Sequence, residues 1–260
     1  MEPVSFGTSD RQLLGIYYPP EGDAVRDAAV LVCGPAPQEY MRTHWALRKL
    51  AAQLARRGFP VMRFDYFGTG DSAGETAAGR PGLWAEDVAA AARELLDVSG
   101  AYAVSAVGLR LGASLAAMAS AGGLELEDLV LWEPVVRGVT YVEELRAIAG
   151  RKYAEFLFPP DQGPGSGQLL GYPFPAEVEE ETRAVDLTRA LPRARRRVVV
   201  AMAEERPEYL ELRAKLEEEA GRGGAPVSWL HQPEEGADRI DGALLSNAVL
   251  SGIGNALEEA

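Results

Sequence analysis

Apolar positions along this chain fall into two alternating kinds of segment. Short runs of valine, leucine, isoleucine and alanine stop at Gly, Pro or Asp. Between them lie longer stretches in which apolar residues recur every three or four positions. The first kind has the length of a strand buried on both faces, and the second has the period of an amphipathic helix. Their alternation predicts an α/β fold, a mostly parallel sheet with helices on both faces.

In chain order, Val4–Phe6 and Leu13–Tyr17 read as an opening hairpin. Ala28–Cys33 is a buried strand running into Gly34-Pro-Ala-Pro-Gln-Glu-Tyr40, a loop by its Gly and Pro content. Thr43–Arg57 carries an apolar stripe of Trp45, Leu47, Leu50 and Leu54, and Gly58 closes it as a helix. Pro60–Phe64 is a strand, Phe67–Gly74 a glycine-rich loop and Trp84–Val98 a helix; a strand, a tight turn and a helix follow within Tyr102–Ala117. Leu129–Trp132 is the next strand. From 139 to 192 the rhythm breaks into a helix over Tyr141–Phe156, a loop over Pro159–Gly167 and a helix over Glu177–Asp186. It resumes with strand Arg197–Met202, helix Glu208–Ala220, strand Val227–Leu230 and helix Gly242–Leu257. The expected organisation is a core formed by 1–138 and 193–260, with 139–192 inserted as a cap over the carboxyl edge of the sheet.

Composition narrows the function classes. A chain of 260 residues, 47% hydrophobic, suits one large domain with a small insertion. A net charge of −13 argues against nucleic acid and against anionic membrane surfaces. The one basic cluster, Arg193 to Arg197, reads as a helix end before a strand. Cys33 is the only cysteine, so no internal disulfide forms, which suits a reducing cytoplasm. The first residues lack a basic and apolar leader, and no apolar run reaches the roughly 20 residues that span a bilayer. No Cys/His spacing implies a metal, and no cofactor is expected.

The segment Gly108-Leu-Arg-Leu-Gly112 has the glycine spacing of the G-x-S-x-G nucleophile elbow, with Arg110 at the centre. That turn lifts its central side chain above the head of the sheet. A serine there attacks carbonyls; a guanidinium stays protonated and offers no lone pair.

Three motifs in this order, Arg63-Phe-Asp-Tyr-Phe-Gly-Thr-Gly-Asp-Ser-Ala-Gly74, Gly108-Leu-Arg-Leu-Gly-Ala113 and Leu129-Val-Leu-Trp-Glu-Pro134, resemble the α/β-hydrolase superfamily. The resemblance is to the serine-aminopeptidase-like branch that includes the exosortase-associated hydrolases, and it covers residues 28 to 134 well. It implies an eight-stranded, mostly parallel sheet with a cap inserted after strand six. It also implies a nucleophile, a base and an orienting acid. The nucleophile position holds Arg110. The acid would follow the strand ending at Met202, near Glu204 or Glu205. The base would be a histidine in the loop Gln232-Pro-Glu-Glu-Gly-Ala-Asp-Arg-Ile-Asp241, which has none. Two of three triad members are thus missing, from different parts of the chain.

The remaining candidates carry paired readings. His231, at a strand end, is a displaced base or a residue bonded to backbone. His44 faces the pocket beside Gly34 or packs at its helix start. Ser114 and Cys33 read as buried structural residues, and the Gly68–Gly74 loop as a tight turn held by Asp71 and buttressed by Asp65. Arg110 either grips a carboxylate or phosphate bidentately or forms an internal salt bridge with Glu133, the nearest carboxylate that can be placed from sequence. Either way a carboxylate is expected beside it. The expected pocket lining is Ala36, Gln38, Tyr40, Arg110, Leu111, Glu133 and Tyr141.

The expected function is therefore a non-hydrolytic binding or accessory protein of a biosynthetic pathway, with a small acidic ligand or a protein or peptide of the same pathway as partner. The alternatives are an enzyme of non-serine chemistry moving protons through Glu133, Glu204 or His231, and a serine hydrolase with a displaced triad. The apolar stretches Phe156-Leu-Phe-Pro-Pro and Leu169-Leu-Gly-Tyr-Pro-Phe-Pro suit a lid or a homodimer surface.

Overall fold

The computed structural model describes residues 1–22, 25–231 and 247–258. In chain order its elements are β1 (Glu2–Thr8), β2 (Arg11–Tyr18), β3 (Ala28–Cys33), α1 (Pro37–Arg56), β4 (Val61–Phe64), a 3-10 turn at Thr76–Ala78, α2 (Pro81–Ser99), β5 (Ala103–Leu109), α3 (Leu111–Ala121) and β6 (Asp128–Trp132). They continue with α4 (Gly138–Tyr153), β7 (Gln168–Leu169), β8 (Tyr172–Pro173), α5 (Ala176–Ala184), β9 (Arg197–Met202), α6 (Pro207–Gly221), β10 (Val227–His231) and α7 (Asn247–Glu258). Eight strands form one sheet in the order β1-β2-β4-β3-β5-β6-β9-β10. The β1–β2 and β2–β4 pairs are antiparallel; the other pairs are parallel.

The two-residue period of the central strands sorts their side chains into two cores. Leu31, Ala106, Leu129, Leu131, Val198 and Val200 face the layer of α2 and α3, while Val32, Val107, Val130, Trp132 and Val199 face α1 and α7. Both faces are covered, so these strands read as continuous apolar runs. On α1 the buried stripe is Leu47, Leu50 and Leu54. Trp45 does not belong to it: its ring is exposed and lies against the Arg48 guanidinium.

Three boundaries differ from the sequence reading for local reasons. Helix α1 begins at Pro37, so the 34–40 loop shrinks to Gly34-Pro-Ala36. Proline at the first helical turn lacks only an N–H that has no helical acceptor there, and its φ is already helical. Leu170 (φ 54°) and Gly171 (φ 90°) form a two-residue turn with both φ positive, joining β7 to β8 inside a stretch with no obvious strand pattern. The Arg193–Arg197 cluster closes no helix ahead of β9; Arg196 pairs with the buried Asp128 at the start of β6, and Arg197 donates to the Ala256 carbonyl in the last turn of α7. The predicted helix over 242–257 is seen from 247, its first residues lying outside the described ones.

The segment between β6 and β9 carries α4, β7, β8 and α5. Its two apolar stretches part company. Leu169, Leu170 and Phe174 are buried, while Leu157 and Phe158 are 87% and 85% exposed. No helix among the described residues is long and apolar enough to cross a membrane.

Both glycines of the elbow spacing are required by close backbone approach. A Cβ on Gly112 would run into the carbonyl oxygens of Gly34 and Cys33, and one on Gly108 into the backbone of Ala113 and Gly112. Gly112→Ala is therefore expected to lower stability by about 1–3 kcal/mol, as overpacked sites do. Gly150→Ala, inside α4 with nothing within 4 Å of the added methyl, should raise it by up to about 1 kcal/mol. Urea denaturation midpoints of the two variants check both signs.

Candidate functional site

Arg110 joins β5 to α3, and its backbone serves both. Its N–H donates to the Trp132 carbonyl (2.9 Å), continuing the β5–β6 ladder, while its carbonyl accepts from the Ala113 N–H (3.1 Å), opening the helix. Satisfying both forces φ to 54° and ψ to −122°. That conformation costs an L-residue about 1–3 kcal/mol and persists only where neighbours over-determine it. The next strand leaves the sheet in a related way: Glu133, directly after β6, has φ 45° while its N–H donates to Ala201.

The guanidinium of Arg110 is 6% exposed and is held by two carboxylates. Nε donates to Glu39 Oε1 at 2.9 Å and one terminal nitrogen to Glu144 Oε2 at 2.8 Å. The other terminal nitrogen reaches the backbone carbonyl of Glu133 at 3.5 Å. The Tyr141 ring lies 5.5 Å from the guanidinium carbon, and its hydroxyl donates to Glu39 Oε2 at 2.6 Å. Arg206, just before α6, shares Glu144 Oε2 at 3.4 Å. Arg206 also lies 3.9 Å from Glu208, so the two guanidiniums stand among three carboxylates.

The electrostatics follow from burial and pairing. Burial alone works against the Arg110 cation; Glu39 and Glu144 outweigh it and keep the group firmly protonated. Burial likewise pushes Glu144 up, but Arg110 and Arg206 prevail and leave it below its ordinary value. The Tyr141 hydroxyl is driven well above its usual range by burial and by Glu39, so at neutral pH it keeps the proton that it donates to Glu39.

Glu133 is not the partner of Arg110. Its side chain turns to the β9 side, where Oε1 accepts the Ala203 N–H (2.5 Å) and Oε2 the Tyr209 hydroxyl (3.0 Å). The two carboxylates that do pair come from positions the sequence reading passed over. Glu39 lies in a stretch whose Gly and Pro content marks a loop, and Glu144 stands on α4, whose placement no local pattern gives. The available signal was Glu39 itself, two residues into a helix opened by Pro37.

Other expected residues fall into place as follows. Ala36, Gln38, Leu111 and Tyr141 converge around a cavity of about 10 Å³, room for a single water at most. Tyr40 faces the opposite way, its hydroxyl donating to Asp65 Oδ1 at 3.2 Å. Glu204 is exposed after β9. His231 is exposed, with Nε2 3.0 Å from the Ala203 carbonyl. His44 stacks on Tyr40 and faces a cavity of about 150 Å³ beside Gly34. Ser114 is buried and donates to the Val135 carbonyl. Cys33 is buried, which pushes its thiol far up. The glycine-rich turn is held by the Asp65 carboxylate, which accepts the Asp71 N–H, and by Ser72, whose hydroxyl donates to the Asp65 carbonyl. The Asp71 side chain is exposed and plays no such part. Among the described residues no cluster suits a metal ion.

A ligand acid at Arg110 would have to displace Glu39 or Glu144. Arg110→Met should lower stability by about 3 kcal/mol, because it leaves the partly buried Glu39 without its cation and Glu144 with Arg206 alone. Arg110→Met combined with Glu39→Gln should cost less than the sum of the two single changes, measured as a double-mutant cycle. Glu144, with its depressed pKa, contributes stability that is full above the ordinary value of 4.5 and is lost as pH falls below it. Glu144→Gln should lower Tm at neutral pH and flatten its fall in acid, read by calorimetry across pH.

No family model and no curated relative matches the chain. Solved structures do, over nearly its whole length. Est1E from Butyrivibrio proteoclasticus with ferulic acid bound aligns at 11% identity with a TM-score of 0.67, over 98% of this chain and 96% of that one. An esterase of Pyrococcus furiosus aligns at 16% identity and 0.65, over 99% and 90%. The mouse α/β-hydrolase domain-containing protein 10 aligns at 17% identity and 0.59, over 100% and 98%. With the strand order β1-β2-β4-β3-β5-β6-β9-β10 and the sharp turn between β5 and α3, these likenesses show that the chain has the α/β-hydrolase fold.

Proposed function

We propose that this chain is a non-hydrolytic protein on an α/β-hydrolase scaffold, serving as a binding or accessory protein in a biosynthetic pathway. One observation carries the reading: the side chain at the head of the elbow is a buried guanidinium already engaged by Glu39 and Glu144. A hydrolase of this fold needs a hydroxyl or thiol there, with an imidazole in reach to take its proton. The chain has two histidines. His231 is on the surface against Ala203, and His44 sits beside Arg63 and Asp65 at the ends of β3 and β4.

The pairing also speaks against an enzyme of different chemistry in the same place. Glu133, a candidate proton carrier, has one carboxylate oxygen on a backbone N–H and the other on the Tyr209 hydroxyl. The tyrosines that approach the cluster, Tyr141 and Tyr209, are pushed up by burial and by Glu39 and Glu133 respectively, so neither is a base near neutral pH.

Purified protein should hydrolyse a panel of aryl esters and aminoacyl amides no faster than buffer, and a fluorophosphonate probe should leave it unlabelled. Arg110→Ser should behave the same way, since a hydroxyl on the elbow still lacks a base. Turnover or labelling of either protein above a denatured control would overturn the proposal.

A further inference from the structure

A cleft of about 240 Å³ lies at the carboxyl ends of β3 and β4, beside the first turn of α1, and Arg110 does not line it. Phe64, Tyr66, Tyr40 and Met41 line it, and Tyr172 of the β7–β8 hairpin reaches it from the inserted segment. Its aromatic wall is fixed in place. The Tyr66 hydroxyl donates to the Gly34 carbonyl at 2.9 Å, and its ring packs edge-on against Phe64 (4.9 Å) and at a 37° tilt against Trp84 (5.6 Å).

One ionisable acid stands on this wall. Asp65 accepts the Tyr40 hydroxyl on one oxygen and the Asp71 N–H on the other. An ionised carboxylate has about four lone-pair positions, so two remain. Arg63 attracts Asp65 electrostatically but forms no ion pair with it among the described residues; its Nε donates instead to the Tyr18 hydroxyl at 3.2 Å. Arg63 and His44 line the neighbouring cavity and not this one. Burial and the neighbouring Asp71 carboxylate raise the Asp65 pKa against the pull of Arg63, and burial with Asp65 beside it pushes the Tyr40 phenol up to about 12 although Arg63 also reaches that hydroxyl.

Size and chemistry select the occupant. An apolar cavity of about 150 Å³ is enough for benzene, so this one admits a ring with a short arm. Aromatic faces favour a second ring and an adjacent cation. A half-buried carboxylate without an ion partner favours a cationic donor and repels an acid. We propose that this cleft binds a small aralkylamine, its ring on the aromatic wall and its ammonium on Asp65 beside Tyr40. The site is separate from Arg110, and the proposal does not depend on the non-hydrolytic reading.

Isothermal titration with three isosteric probes tests it. 2-Phenylethylamine should bind saturably at or below about 1 mM, 2-phenylethanol about tenfold more weakly, and phenylacetate more weakly still. Asp65→Asn should bring the amine down to the level of the alcohol, and Tyr172→Ala should weaken both alike. Amine affinity should also fall on acidification, starting at a higher pH than an ordinary aspartate would give, because the ionised Asp65 is the partner. If Asp65→Asn does not fold, the order of the three probes and the Tyr172→Ala variant decide the matter. Phenylacetate binding as well as the amine, an Asp65→Asn protein of unchanged Tm and unchanged amine affinity, or no saturable heat at several times that concentration each overturns the proposal. None of these results bears on ester turnover, so the two proposals fail separately.

Discussion

A guanidinium taken out of water must find anions, and that requirement organises the head of this molecule. Arg110 cannot withdraw to solvent, because the turn between β5 and α3 fixes its backbone and aims its side chain into the interior. Glu39 comes to it from α1 and Glu144 from α4, and Arg206, ahead of α6, closes the cluster. One buried charge thereby ties α1, α4 and the residue ahead of α6 to the turn that follows β5. The desolvation cost of the cation is offset only while all these partners stay in place, so their positions are mutually dependent.

The same helix also separates two regions of opposite character. Successive residues on an α-helix point about 100° apart. Glu39 therefore faces the arginine while Tyr40 faces Asp65, so α1 borders both a cluster of paired arginines and glutamates and a cleft whose one carboxylate has no ion pair among the described residues. At Arg110 the protein has answered its own electrostatic need from within. At Asp65 it has supplied a phenol and a backbone N–H and left acceptor capacity over. Physical chemistry gives the first region a reason to stay closed and the second a reason to accept something from outside.

Much of the fold was legible in the sequence. The central strands announce themselves because both faces are buried, leaving uninterrupted runs such as Ala-Ala-Val-Leu-Val-Cys33. The elbow was legible because two glycines must lie where backbones touch, and no other residue fits. The 34–40 stretch was misjudged because Gly and Pro mark both loops and helix starts, and only the cap geometry tells Pro37 at a first turn from Pro35 in a loop. Trp45 was placed on the buried stripe by its hydropathy, although the 3.6-residue period set by Leu47, Leu50 and Leu54 leaves it outside.

The sequence by itself determined that an arginine stands where the fold lifts a side chain into its interior, and that some carboxylate must answer it. Local rules suffice for that: glycine spacing sets the turn, and ion desolvation demands a partner. Which carboxylate answers was decided only by tertiary structure. Glu133 is the nearest in the sheet, yet the φ of 45° that carries the chain out of β6 turns its side chain toward Ala203 and Tyr209. Glu39 and Glu144 lie 71 and 34 residues from Arg110 in sequence. They are brought to it by the packing of whole helices, a consequence of burying apolar faces that no pattern around either glutamate encodes.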